Sequence, residues 1–232
     1  MFIGHFALAF GAKRAAPSVS LAVLFVACQL ADLLWPVLVI AGIERVEVQS
    51  GVTAMTPLNF ISYPYSHSLA TLCIWGIAFG GAYVALTRAG LSAGVTLALL
   101  VISHWVLDFV THGPDMPLSP WTGADLGLGL WNSTTATITV ETAMLAVGLL
   151  LFVRAAPPAT RGRAIGLWSL VAVMYLLYLA SIFGPAPPSG AAVAWSANGI
   201  WLFVMWAYFV DRSVPGDHSK RRPHAIRARK HV

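Results

Sequence analysis

Charge is what this sequence has least of. Of its 232 residues, 10% are Asp, Glu, Lys or Arg and 58% are hydrophobic, and the mean hydropathy is +0.75. Soluble domains carry roughly 25% charged residues. A water-soluble fold of this length would lack the polar surface to cover itself, so that class is excluded. Segments of ~10 residues with alternating polarity, the mark of a membrane barrel, are also missing. Two cysteines, Cys28 and Cys73, both inside predicted helices, exclude a disulfide framework and read as small buried apolar residues. No Walker sequence supports an ATP-driven pump, no internal repeat supports an inverted-repeat transporter, and a serine nucleophile elbow is not expected.

What is present is a series of apolar runs of about twenty residues, each long enough to cross a bilayer as a helix. The sequence reads as an all-α, polytopic membrane helical bundle of about six transmembrane helices occupying residues 1–211. A short apolar segment, residues 2–12, precedes the spans and is too short to cross. The basic pair Lys13-Arg14 follows this segment instead of preceding it, so a cleaved signal peptide is not expected. The spans are placed at about Val19–Ile43, Ser66–Thr87, Leu91–His112, Trp131–Val153, Ala164–Phe183 and Ala191–Val210. The second carries Gly76-x-x-x-Gly80, a spacing that permits close helix packing.

The formal charge of +5 does not point to nucleic acid, because seven of the fourteen basic residues lie in the last 21 positions. Residues 212–232 read as a basic, disordered cytoplasmic tail that draws anionic lipid headgroups at ~1 kcal/mol per residue. Membrane lipids are the expected partners. With the N-terminus inside, Lys13, Arg14, Arg88, Arg154, Arg161, Arg163 and the tail fall on the cytoplasmic side, leaving Arg45 outside. Thirteen basic residues against one orient the bundle with both termini cytoplasmic and the loops 44–65 and 113–130 outside.

Ionisable residues within a span cost at least ~2.5–3.5 kcal/mol, which makes each a functional-site hypothesis. The first four spans hold Asp32, His67, His104, Asp108, His112 and Glu141; the last two hold none before Asp211. The sharpest pattern is His104-Trp-Val-Leu-Asp108-Phe-Val-Thr-His112. On a helix each step of four residues drifts by about 40°, so the three side chains share a face. His, Asp and His suit zinc or another borderline divalent metal; a satisfied polar stripe along a proton path is the alternative.

Depth favours the metal. His104 and Asp32 each lie about 20 Å from the cytoplasmic end of their spans, and Glu141 about 15 Å from the outer end of its own. His67 starts the second span at the outer interface. All fall between the membrane centre and the outer face. Ser133, Thr134 and Thr137 extend a polar stripe to Glu141, Gln29 lies a turn before Asp32, and Ser66 and Ser68 flank His67. Serine and threonine of this kind also commonly bond their own helix carbonyls. His5 reaches the site if residues 2–12 form a re-entrant half-helix enclosed by protein, and not if they lie flat at the interface. Asp115 reads as a helix stop, with an outer ligand as the alternative.

The opening His5-Phe-Ala-Leu-Ala-Phe-Gly-Ala, Asp32 in Ala-Asp-Leu-Leu-Trp-Pro, Ser66-His67-Ser68, and Ser-His104-x-x-x-Asp108-x-x-x-His112 resemble the bacterial inner-membrane proteins grouped as membrane-bound metal-dependent hydrolases. The His and Asp series is also similar to zinc-dependent phospholipase C. The resemblance covers about residues 1–145. It implies a hydrolase in the bacterial inner membrane acting on an ester or phosphodiester of a lipid or lipid-linked substrate near the outer leaflet. His67, His104, His112, Asp32 and Asp108, with His5, would hold one or two divalent ions, zinc first. Glu141 would be general base or a further ligand. Most of these groups lie within hydrophobic spans, unlike the phospholipase pattern, which argues against water-soluble substrates. The competing readings are an ion- or proton-coupled transporter using the same cluster, and a scaffold with a structural metal.

Overall fold

The computed structural model describes residues 1–211, with backbone alone for residues 123–125; the basic tail lies outside the described residues. The protein is an all-α bundle with two small hairpins. Helix α1 (Ile3–Ala12) is followed by α2 (Leu21–Cys28) and α3 (Leu30–Ile40), then strands β1 (Arg45–Val48) and β2 (Leu58–Ser62). The short α4 (Pro64–His67) leads into α5 (Leu69–Thr87) and α6 (Leu91–Thr111). Strands β3 (Met116–Ser119) and β4 (Thr122–Leu126) precede α7 (Thr134–Ala155), α8 (Arg161–Phe183), α9 (Gly190–Ala197) and α10 (Ile200–Asp211).

Five stretches are long and apolar enough to cross a membrane: α5, α6, α7, α8, and α9 with α10 as Gly190–Asp211. The pair α2 and α3 makes a sixth candidate, but it is bent by 56°. The first span is therefore broken at Gln29 where the sequence reads as continuous. Helix α5 buries only Leu72, Gly76 and Gly80 and turns Ile74, Ile77 and Leu86 outward. Apolar surface on this scale marks a membrane environment. The glycine pair works as its spacing predicts. A Cβ at Gly80 would stand 2.3 Å from the Gly94 carbonyl oxygen, and one at Gly76 2.8 Å from that of Ala98, so the α5 and α6 backbones touch.

Helix α1 does not lie at an interface. Ile3, Gly4, His5, Phe6, Ala7, Ala9 and Phe10 are all buried, and Met1 is enclosed by the bundle as well. Protein on every side satisfies a ten-residue helix that lipid alone would leave with unpaired ends. Close approach to α7 depends on Gly148, where a Cβ would meet the Ala7 carbonyl oxygen at 2.2 Å. Beyond His5, Phe6 and Phe10 pack edge-on against Phe25 at 4.8 and 5.2 Å, and Phe10 against Phe152 at 5.4 Å. The far end of α1 is clasped to the last helix. Lys13 Nζ donates to Val19 O at 2.7 Å and to Asp211 Oδ2 at 2.5 Å, and the Leu21 N–H donates to the same Asp211 oxygen at 2.8 Å.

The loops 44–65 and 113–130 carry antiparallel hairpins, β1 with β2 and β3 with β4. In Arg45-Val-Glu-Val48 the alternation of polar and apolar residues is a strand signal, and Val46 is buried.

Candidate metal centre

Four separate elements deliver ionisable side chains to one place. Asp32 lies in the first turn of α3, His67 ends α4, and His104 and Asp108 sit one turn apart near the end of α6. His5 comes up from α1. His5, His67, His104 and Asp108 are buried, while the Asp32 side chain keeps 23% of its exposure. That makes Asp32 the member of the group with most access.

The histidine tautomers follow from their outer contacts. His104 Nδ1 lies 2.8 Å from the Cys28 carbonyl oxygen. A carbonyl only accepts, so Nδ1 carries the proton and Nε2 presents a lone pair. The acceptors around that lone pair are carboxylates, with Asp108 Oδ2 at 3.1 Å and Asp32 Oδ1 at 3.8 Å. His104 Nε2 is buried without a hydrogen-bond partner.

His67 repeats the arrangement through a relay. Its Nδ1 is 2.7 Å from Ser66 Oγ, which lies 2.6 Å from Glu44 Oε2. The serine proton goes to the carboxylate, so the serine oxygen accepts from Nδ1–H. Glu44, itself buried, also accepts the N–H groups of Tyr65 and Ser66 at 2.8 and 2.9 Å. His67 Nε2 is left facing Asp32 Oδ1 at 3.4 Å and Asp108 Oδ2 at 3.9 Å.

Two imidazole lone pairs therefore converge with Asp32 Oδ1 and Asp108 Oδ2, and no donor among the described residues lies between these four atoms. Such a set is satisfied by a second proton on each ring or by a cation, and histidines that bind metal are typically oriented by this kind of outer acceptor. Two groups can hold an ion: His5, His104 and Asp108, and Asp32, His67 and His104; in each, the ligand atoms lie within 4.8 Å of one another. A tetrahedral ion with bonds of about 2.0–2.2 Å spaces its ligand atoms about 3.3–3.6 Å apart. The separations of 3.1–3.9 Å between the histidine nitrogens and aspartate oxygens need only small side-chain adjustment. Because Nδ1 of His104 is committed, that residue can join one ion and not two.

His5 Nε2 is 3.1 Å from Asp108 Oδ1. Its ring stacks on His104 in parallel, with centroids 3.7 Å apart. Enclosure of α1 by the bundle thus brings His5 to the cluster. The amino group of Met1 also pairs with Asp108 Oδ1.

His112 stands apart and belongs to neither group. Helix α6 ends at Thr111, and the backbone of His112 is extended, with ψ 156°. Its N–H still bonds the Asp108 carbonyl oxygen at 2.7 Å, so it keeps the helix face, but it lies about 12 Å along the axis from His104. Its Nδ1 lies 3.1 Å from Asp115 Oδ1 and 3.4 Å from the Tyr63 hydroxyl, and its ring packs on Trp131. Asp115 is its polar partner as well as a residue beyond the helix end.

Glu141 is fully buried, and its Oε2 accepts the N–H groups of Phe2 and Gly4 at 2.9 and 3.0 Å. A carboxylate here satisfies the open first turn of α1 and opposes its positive end. Oε1 has no partner. The polar stripe beside it resolves as local bonds: Thr137 Oγ1 donates to Leu130 O and Ser133 O, and Ser133 caps α7. Gln29 is buried at the α2–α3 break with neither side-chain amide atom paired.

The cluster borders a cavity of about 520 Å³. Asp32, His67, Asp108, His112 and Glu141 form its polar end, and α8, α9 and α10 supply apolar walls. A Gly-x-Ser-x-Gly stretch occurs at Gly90–Gly94, although a serine nucleophile elbow is not expected. Ser92 lies at the opposite end of α6, about 18 Å from His104 along the axis, and no strand precedes it. It forms no nucleophile elbow.

The chain matches no protein-family model, and no curated protein or solved structure matches it significantly.

Proposed function

We propose that the chain is a membrane-embedded, divalent-metal-dependent hydrolase of an ester or phosphodiester in a lipid or lipid-linked substrate. The carrying observation is the pair of Nε2 lone pairs on His67 and His104 directed at Asp32 and Asp108, at the polar end of an apolar cavity. Zinc suits this nitrogen and carboxylate set best. When bound, a divalent ion polarises an ester or phosphoryl oxygen and lowers the pKa of water to about 7. Glu44 and Cys28 hold the two histidines in the ligating tautomer. Asp32, the most accessible of the candidate ligands, borders the incoming substrate. Glu141, which lines the cavity with Oε1 unpaired, accepts the proton of the attacking water, while Oε2 stays on α1.

The likeness of the motif series to membrane-bound metal-dependent hydrolases supports the same class and an inner-membrane location, with the site towards the outer leaflet. The packing supports hydrolysis over transport. Beyond His5 the Phe6, Phe10, Phe25 and Phe152 rings fill the bundle, where a transported ion would need a polar route. Zinc analysis of purified protein, followed by assays on long-chain esters and phosphodiesters, tests the reading. Metal-loaded protein that cleaves none of them, while proteoliposomes move an ion, would replace it with transport. Reporter fusions at Thr122 and Pro187 should read outside and those at Arg88 and Pro158 inside.

A further inference from the structure

We propose that the cavity takes an uncharged long-chain lipid ester, a carboxylic ester and not a phosphoester. This rests on the hydrolase reading and names its substrate class. The first observation is charge. Asp32, Asp108 and Glu141 line the cavity, and none of the described lining residues is Lys or Arg. The amino group of Met1 is the positive group at this wall, and it is already paired with Asp108. Sites that bind phosphate usually offer Arg, Lys or an open helix N-terminus. Here the N-terminus of α1 is occupied by Glu141, and at that of α10, where Gly199 and Ile200 line the cavity, the Trp201 and Leu202 N–H groups are bonded to the Asn198 and Gly199 carbonyl oxygens.

The second observation is the kind of donor supplied instead. Tyr178 and Trp35 line the cavity and are 1% and 5% exposed. The Tyr178 hydroxyl and Trp35 Nε1 are both left without a hydrogen-bond partner. With Asp32 and Asp108 balancing the charge of a divalent ion, neutral O–H and N–H groups match the acceptor oxygens of an uncharged ester and give an anion no further positive partner.

The third is the wall. Val173, Leu177 and Ser181 follow one face of α8 for about 12 Å, opposite Ile200, Phe203 and Trp206 of α10. A hydrocarbon chain lying there extends away from the polar end. Each methylene it buries tightens binding by roughly fourfold.

The reaction is ordinary ester hydrolysis. The oxygen of water bonds to the acyl carbon, the C–O bond to the alcohol breaks, and one water proton ends on the leaving alcohol. Products are a fatty acid and an alcohol, and no electron transfer is involved.

The test uses full-length, zinc-loaded protein in detergent. Hydrolysis is compared for 4-nitrophenyl palmitate, 4-nitrophenyl acetate and 4-nitrophenyl hexadecyl phosphate. Binding is read separately by calorimetry with two ligands that are not turned over, a long-chain methyl ketone and a hexadecyl methylphosphonate. The ketone should bind at least ~10-fold more tightly than the anion, and palmitate should be cleaved in preference to both other probes. Tyr178→Phe should weaken the ketone by up to ~10-fold with zinc content unchanged. Equal or tighter binding of the phosphonate, or binding of neither ligand, overturns the inference. Faster cleavage of the phosphodiester also overturns it and leaves the hydrolase reading standing. Selective ketone binding with no ester cleaved does the reverse. The inference then holds as a binding site and hydrolysis falls.

Discussion

His104 on α6 donates its Nδ1 proton to the carbonyl oxygen of Cys28, the last residue of α2. This bond crosses from one candidate span to another at the point where the first is broken. It fixes which imidazole nitrogen can bind an ion, and His104 is the shared member of both candidate groups. His104→Ala should therefore remove most bound metal, and His67→Ala should do the same. His112→Ala should leave metal content near that of the wild type, because His112 is tied to Asp115 and Tyr63. Equal loss in all three variants, measured by elemental analysis, would contradict this assignment.

The Glu44–Ser66–His67 relay makes a second prediction. Ser66→Ala and Glu44→Gln remove no ligand atom but release the His67 ring. Outer partners of this type typically change metal affinity by 10–100-fold. Metal titration with a competing chelator should show that loss. An affinity equal to that of the wild type would mean that His67 is not a ligand or does not need the relay.

Glu141 has two jobs that two substitutions separate. In Glu141→Gln the amide oxygen can still accept from Phe2 and Gly4, so α1 stays in place. Turnover should fall by roughly 10²–10⁴-fold with metal retained. Glu141→Ala also strands those two N–H groups in a buried site, at about 1–3 kcal/mol each. Thermal unfolding in detergent should show Ala much less stable than Gln. Full activity in Glu141→Gln would move the base elsewhere, with Asp32 the next candidate.

The clasp between Lys13 and Asp211 is tested by stability alone. Both side chains are largely buried, at 7% and 13% exposure. Removing one partner of such a pair costs about 3–5 kcal/mol. Lys13→Ala should lower the unfolding temperature clearly, and Lys13→Met with Asp211→Leu should recover part of the loss. A neutral Lys13→Ala would show that α1 is held by its packing on α7 and α2.

The number of spans, the Gly76 and Gly80 contact, and the meeting of Asp32, His67, His104 and Asp108 were legible because each depends on local period or composition. His5 was legible as one of two alternatives, since only tertiary enclosure decides between a buried and a flat α1. His112 keeps the helix face that its spacing predicts, and its ring is held by Asp115 and Tyr63 beyond the helix end, partners that the spacing does not show. Glu44 was missed because a carboxylate in a loop carries no signal until Ser66 and His67 are brought beside it. Its one clue was the strand-like alternation that begins at Arg45. The kink at Gln29 has no breaker residue at that position, and Pro36 lies two turns later.

The most direct test of the account is the metal content of the purified full-length protein, prepared without chelator and then offered zinc. The account predicts near-stoichiometric divalent metal in the wild type, bound before or after zinc addition, and its loss in His104→Ala. A folded wild-type protein that neither carries nor takes up a divalent ion would contradict it. The two imidazoles would then be satisfied by protons alone.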